Sequence, residues 1–231
     1  VPTLENIRLK TQSYVLNITS SDVILKGIKF FATTFKGLRS HNLLVSDCDF
    51  LYPSCYAHML NEINENSSER MNSLENEVFD KMTKIISSRN CKIFKCSFKF
   101  TDGSGLETSG STVGEPNVLE DCYFSYIDKT CANLISVMTS IRLNGYGNII
   151  KHNTFLKTGA SSTINPGNQA IVEHNDLSRS GYLQSDGAMI HCMVAQQENI
   201  KIRYNYVHDT IKYGIRFDGD GDGHSGYIHH N

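Results

Sequence analysis

The stretch SHNLLVSDCDF, Ser40 to Phe50, returns as SRNCKIFKCSF at Ser88 to Phe98 and is anticipated by SSDVILKGIKF at Ser20 to Phe30. The three align without a gap. Each carries a polar residue at the third position (Asp22, Asn42, Asn90), an alternating apolar run, and a closing Phe two places after Ile28, Cys48 or Cys96. Alternation over so short a run marks a strand rather than a helix, because a strand turns its side chains to opposite faces at every residue.

The pattern continues along the chain as NVLEDCYF, IIKHNTF, AIVEHNDL and IKIRYNYV, and YIHHN begins one more copy. Anchored on the Asn/Cys column, the copies fall at Ile28, Cys48, Cys96, Cys122, Asn153, Asn175, Asn205 and Asn231, separated by 20, 48, 26, 31, 22, 30 and 26 residues. A repeat of this length built from short strands predicts an all-β parallel solenoid, since no single coil can bury its apolar face alone. An inward Asn at a turn would bond its amide to the turns above and below. Cys at the same place acts as a small buried group, so Cys48, Cys96 and Cys122 read as ladder residues. A disulfide between rungs is the alternative that their spacing permits.

The 48-residue interval has a visible cause. Met71, Leu74, Val78, Met82 and Ile85 recur at helical spacing, and Ser67 or Ser68 is placed to cap the start. The expectation is one domain over 1–231 with a helical insertion at 62–86. The chain starts at Val1 and ends inside a repeat, which reads as a trimmed chain lacking C-terminal rungs.

These Asn-anchored rungs resemble the right-handed parallel β-helix repeat proteins, a superfamily that includes polysaccharide lyases, pectin hydrolases and mannuronan C5-epimerases. The resemblance runs from about Asn17 to the end. It implies a right-handed parallel β-helix acting on carbohydrate, although the same architecture also serves proteins that only bind.

Composition narrows the partners. Twenty-two basic residues stand against 24 acidic ones, so no bulk charge favours nucleic acid, and no apolar run is long enough to span a membrane. Seven cysteines without a CxxC pair exclude a zinc finger and do not form a secreted disulfide framework. Two sequons, at Asn17 and Asn66, fit a secreted protein. The sequence sets no oligomeric state.

Stacking the segments that follow each ladder residue places Leu134, Ile164, Ile190 and Phe217 inward. It places Asn133, Thr163, Asn165, Met189, His191, Arg216 and Asp218 outward, with an outer column Ser109, Ile135, Asn165, His191, Asp218. His208, Asp209, Lys212 and Asp186 belong to the same last rungs. Such a cluster suits acid–base chemistry on a sugar. His191 or His208 is the expected base, Arg216 the carboxylate clamp or acid, Asp218 an orienter, and Lys212 a further ionisable partner. Asn165, Tyr182 and Tyr213 are the expected substrate contacts. A polysaccharide lyase or epimerase is the first expectation. A glycan-binding solenoid without turnover is the second, and a hydrolase using pairs among Asp186, Asp209 and Asp218 the third.

Asp218, Asp220 and Asp222 also occupy positions 1, 3 and 5 of a DxDxDG loop with Gly223 at position 6. Position 12 is His229 rather than Glu, and strands rather than helices flank the loop, which excludes an EF-hand. Calcium held by these three with Asp186 or Asp209 is one expectation; a metal-free acidic turn is the other.

Overall fold

The structure is a computed structural model and describes residues 12, 14–54, 82–128, 139–159, 161–181, 186–193, 197–218 and 225–231. Within them the chain is a right-handed parallel β-helix, and no described residue is helical. Each coil lays down three short strands in turn, one on each of three sheets, and every named pair is parallel.

Sheet A stacks β1 (Tyr14–Ile18), β4 (Thr34–Leu38), β7 (Thr83–Ile86), β10 (Leu106–Ser111), β13 (Thr139–Gly145), β16 (Ser162–Asn165), β19 (Ala188–Cys192) and β22 (Tyr213–Phe217). Sheet B stacks β2 (Ile24–Lys26), β5 (Leu44–Ser46), β8 (Lys92–Phe94), β11 (Val118–Glu120), β14 (Ile149–Lys151), β17 (Ile171–Glu173), β20 (Lys201–Arg203) and β23 (Tyr227–His229). Sheet C stacks β3 (Lys29–Phe31), β6 (Asp49–Leu51), β9 (Ser97–Lys99), β12 (Tyr123–Ile127), β15 (Thr154–Thr158), β18 (Asp176–Ser178) and β21 (Tyr206–His208).

The corner between sheets B and C explains the repeat. One residue there takes a left-handed backbone in every coil: Gly27, Asp47, Lys95, Asp121, His152, His174, Tyr204 and His230, with φ between 52° and 68°. That single residue turns the chain, and the next one points inward as the ladder residue. Asn153 donates its side-chain amide to Asn175 Oδ1 at 2.9 Å, Asn175 to Asn205 at 2.9 Å, and Asn205 to Asn231 at 2.8 Å. Each Asn oxygen also accepts the backbone N–H of the ladder residue one coil earlier.

The cysteines occupy the same position with the same acceptors. Asn175 Nδ2 reaches the carbonyls of Glu173 and Ile150 at 3.0 and 2.9 Å. Cys122 Sγ reaches those of Glu120 and Ile93 at 3.2 and 3.6 Å, and Cys48 and Cys96 repeat this geometry. Cys48, Cys91, Cys96, Cys122 and Cys192 are all buried free thiols, so no disulfide joins the ladder rungs.

Two residues beyond the ladder, Phe30, Phe50, Phe98, Phe124 and Phe155 stack inside sheet C with ring centroids 4.6, 4.4, 4.8 and 5.0 Å apart and planes within 9° of parallel. Free aromatic pairs favour offset or edge contacts. Here the spacing of hydrogen-bonded strands, about 4.8 Å, sets the distance between near-parallel rings. Leu177 and Val207 continue the column where the phenylalanines stop.

The expected helical insertion is corrected at its C-terminal end. Residues 83–86 form β7, with Ile85 buried in the core and Met82 buried just before it. Register on sheet A demands this, since Lys84, Ile85 and Ile86 pair with Lys36, Gly37 and Leu38. The rest of that segment, with Met71, Leu74 and Val78, lies outside the described residues.

Phe98 is fully buried between two rings, so Phe98→Ala is expected to cost about 3–5 kcal/mol in denaturant unfolding. Asn175→Ala strips bonds from buried backbone groups at about 1–3 kcal/mol each. Asn175→Cys, reproducing the thiol geometry, should unfold at a higher denaturant midpoint than Asn175→Ala; the reverse order would refute the equivalence of the two rungs.

Candidate functional site

Alternation fixes which side chains leave the outer face of sheet A, and pairing fixes who stands beside whom. Ile141, Ile164, Ile190 and Ile215 form one inward column. The residues that follow them, Arg142, Asn165, His191 and Arg216, form the outward one. Arg142 pairs with Asn165 and His191 with Arg216.

The expected outer column is therefore corrected at two described places. Glu107 and Arg216 stand where Ser109 and Asp218 were expected, each displaced by two residues. A two-residue slip keeps every side chain on its own face, so alternation cannot detect it. Arg142 takes the place given to Ile135, because the chain enters sheet A at Thr139. Ile135, Leu134 and Asn133 lie outside the described residues.

His191 is the centre of the cluster and is not the solvated base expected from sequence. It is 1% exposed. Its Nδ1 lies 2.8 Å from Ser162 Oγ and its Nε2 3.1 Å from Asp218 Oδ1. In the tautomer that satisfies both partners, Nε2 donates toward Asp218 and Nδ1 accepts from the Ser162 hydroxyl. Ser, His and Asp in a row is the order of a hydrolytic triad, but Ser162 is fully buried, so its hydroxyl cannot meet a substrate. The row is a brace. Ser162 was missed in sequence because Ser161, Ser162 and Thr163 offer three consecutive hydroxyls with nothing to choose between them. Thr163 and Met189, expected outward, are both buried; Thr163 bonds Thr158 and Met189 joins the core.

Asp218 passes the brace to Arg216, whose Nε lies 2.6 Å from the same Oδ1, while Arg216 Nη1 lies 2.6 Å from Asp186 Oδ1. The Gly187 backbone N–H also donates to Asp186 at 2.7 Å. The Arg216 bond, followed by that N–H, holds the Asp186 carboxyl below the usual carboxylate range. The same bond raises Arg216 further above its ordinary value. Burial, then the charge of Asp218, pushes the Cys192 thiol up to about 12, which removes it as a nucleophile.

Lys212 is committed to backbone. Its Nζ donates to the carbonyls of Ser161 at 2.8 Å and Asp186 at 2.6 Å, tying two coils together. Its stem lies over Gly181, where a Cβ would come within 2.1 Å of Lys212 Cε. Asn165 accepts from Gln197 and from the Gly167 N–H. Tyr213 is exposed on β22, with the Arg216 guanidinium 5.9 Å from its ring centre.

His208 and Asp209 do not join this cluster. His208 sits on β21 of sheet C, with Nε2 3.1 Å from Asp176 and Nδ1 3.2 Å from Asp209, and Asp209 also faces Arg179 at 4.0 Å. Chain proximity to Lys212 hid the corner that separates the two faces. His152, His174, Tyr204 and His230 are corner residues whose rings stack at 5.1 to 5.2 Å.

The expected calcium ligands divide in the same way. Asp186 and Asp218 meet around Arg216, so a guanidinium supplies the positive charge between them. Asp209 belongs to another face. Asp220, Asp222 and Tyr182 lie outside the described residues. Among the described residues, no three His, Cys, Asp or Glu side chains converge as a metal site, and no helix is long and apolar enough to cross a membrane.

No protein-family model matches the chain, and no curated protein matches it. Among solved structures, QnrB1, a plasmid-mediated fluoroquinolone resistance protein, aligns over 88% of this chain and 92% of its own length, at 10% identity and a TM-score of 0.23. So loose a superposition carries no argument about function.

The depressed Asp186 value has a direct consequence for acid stability. Its paired charge stabilises the fold above about pH 4, the ordinary aspartate range, and that contribution is lost as pH falls through the lower folded value. Acidification below about pH 4 should therefore lower the urea midpoint of the wild type more than that of Asp186→Asn. The difference is expected to be small, because the carboxylate is half exposed, and parallel acid limbs would show that the pair adds nothing.

Proposed function

We propose that this chain is a carbohydrate-active solenoid that acts on an acidic polysaccharide, as a lyase or epimerase, on the outer face of sheet A over its last coils. The observation that carries this reading is the preorganised Arg216. Two carboxylates and, behind them, His191 and Ser162 hold its guanidinium on the outer face, 5.9 Å from the ring centre of the exposed Tyr213. A fixed cation at that place can take a sugar carboxylate and so ease removal of the neighbouring carbon-bound proton. With His191 buried and Lys212 bound to carbonyls, we assign proton transfer to the exposed Tyr213, which stands on the strand of Arg216 with its ring centre 5.9 Å from the guanidinium.

The hydrolase reading fares less well. Asp186 and Asp218 touch one guanidinium, so they are the carboxylate pair a hydrolase reading would have to use. Yet one of the pair must be a protonated acid, and Arg216 drives Asp186 the other way. Binding without turnover is favoured by a specific observation, namely that both His191 nitrogens are engaged inside the fold.

The test incubates the protein with pectate, alginate and glycosaminoglycans, following the absorbance of unsaturated uronate products and, separately, C5 epimerisation by NMR. Arg216→Ala is expected to lower turnover by about 10²–10³, and Tyr213→Phe to abolish it while binding persists. Glycan binding with neither product would establish the binding module instead. Full activity in both variants would remove the assignment.

A further inference from the structure

On the outer face of sheet B, charges are settled from coil to coil. Glu120 takes Lys92 at 2.7 Å and Lys151 at 3.4 Å, and Glu173 takes Arg203 at 2.8 Å. The last two strands depart from this pattern. Lys201 and Arg203 stand two apart on β20, both outward of the buried Ile202. Their partners on β23 are Tyr227 and His229 rather than acids. These four side chains line an open groove of about 350 Å³, a size in the range of small-molecule sites.

The groove offers hydrogen-bond donors on one side and a ring on the other. Lys201 is paired between Ile171 and Tyr227, and its ammonium meets no acid among the described residues. Arg203 spends Nε on Glu173 and keeps its terminal nitrogens. His229 shares Nδ1 with His230 Nδ1 at 2.8 Å, which leaves Nε2. Edge contacts with Tyr204 and His230, at ring centroid distances of 5.7 and 5.0 Å, hold the His229 ring in place. Tyr227 is 60% exposed and stacks on no other ring among the described residues.

We propose that this groove is a second binding site, on a different face from the site of sheet A, for a small molecule that joins a tetrahedral oxyanion, phosphate or sulfate, to an aromatic ring. The four positions form a rectangle, about 4.8 Å between strands and about 6.6 Å along each strand. The oxyanion lies among Lys201, Arg203 and His229, where the planar guanidinium and the ammonium donate charge-assisted hydrogen bonds. The ring of the ligand then packs on Tyr227, one strand spacing from Lys201. Lysine and arginine only donate, so a ring rich in hydroxyls would leave its own donors unanswered here, whereas an aromatic ring asks for no acceptor.

The test is calorimetric titration of the full chain with inorganic phosphate, phenyl phosphate, phenyl sulfate and phenol. Phenyl phosphate is expected to bind about two- to tenfold tighter than inorganic phosphate, the range of one aromatic contact, and phenol not measurably. The tighter of the two phenyl esters identifies the anion. Tyr227→Leu should erase the gain from the ring while inorganic phosphate binds as before. Lys201→Gln should weaken the ester about fivefold, the upper range for an exposed charge pair. Lys92→Gln removes the same charge from a lysine already held by Glu120 and should change nothing. All three side chains are solvent-exposed, so the variants should keep the fold. Equal affinities for phenyl phosphate and inorganic phosphate, equal losses in Lys201→Gln and Lys92→Gln, or no binding of either ester overturns the proposal.

Discussion

One inward side chain per coil, placed directly after a left-handed residue, holds this solenoid in register. The partners of its amide or thiol are the backbone groups that the corner would otherwise leave unpaired away from water. Once those groups are satisfied, the strands on either side can be only three residues long and still stack. The phenylalanine column, the apolar interior and the flat outer faces all inherit their spacing from that corner. An amide and a thiol fill it with different strengths but the same direction, so a sequence can alternate between Asn and Cys without changing the fold.

The outer face of sheet A shows what a rigid lattice does with charged side chains. Arg216 would be a mobile group on an isolated strand. Here the pairing of β19 with β22 sets it beside His191, and the turns before and after supply Asp186 and Asp218. The network ends inside the protein at the Ser162 hydroxyl, so solvent meets only the outer part of it. This is the arrangement expected of a positioned group, since every partner holding it is itself held.

The fold was legible because its signal is repeated: the ladder column, the polar column of Asp22, Asn42 and Asn90, and the closing apolar residue each recur at one place per coil. Asn42 and Asn90 indeed bond along that second column, at 2.7 Å each. The site was legible only in part. His191, Arg216, Asp218 and Asp186 were correctly grouped, because the strand order brings successive coils together whatever the exact register. Arg142 and Glu107 were not found, because strand alternation is blind to a shift of two and no sequence marker announces the start of β13 at Thr139. His191 was placed on the right strand but not inside the protein, since burial on an outer face depends on what the loops cover. His208 was assigned to the wrong face because nearness along the chain is lost at every corner.

The division of the ladder into a thiol part and an amide part also has a mechanical consequence. From Cys48 to Cys122 the rungs are linked by long, weak sulfur contacts, while from Asn153 onward each rung is cross-linked by short amide bonds. Under tension along its axis, or during slow opening in solution, the molecule has a built-in soft end. In the ladder alone, the coils carrying Lys36 and Lys84 are the softer ones, and the stacked phenylalanines that run through those same coils offset that weakness.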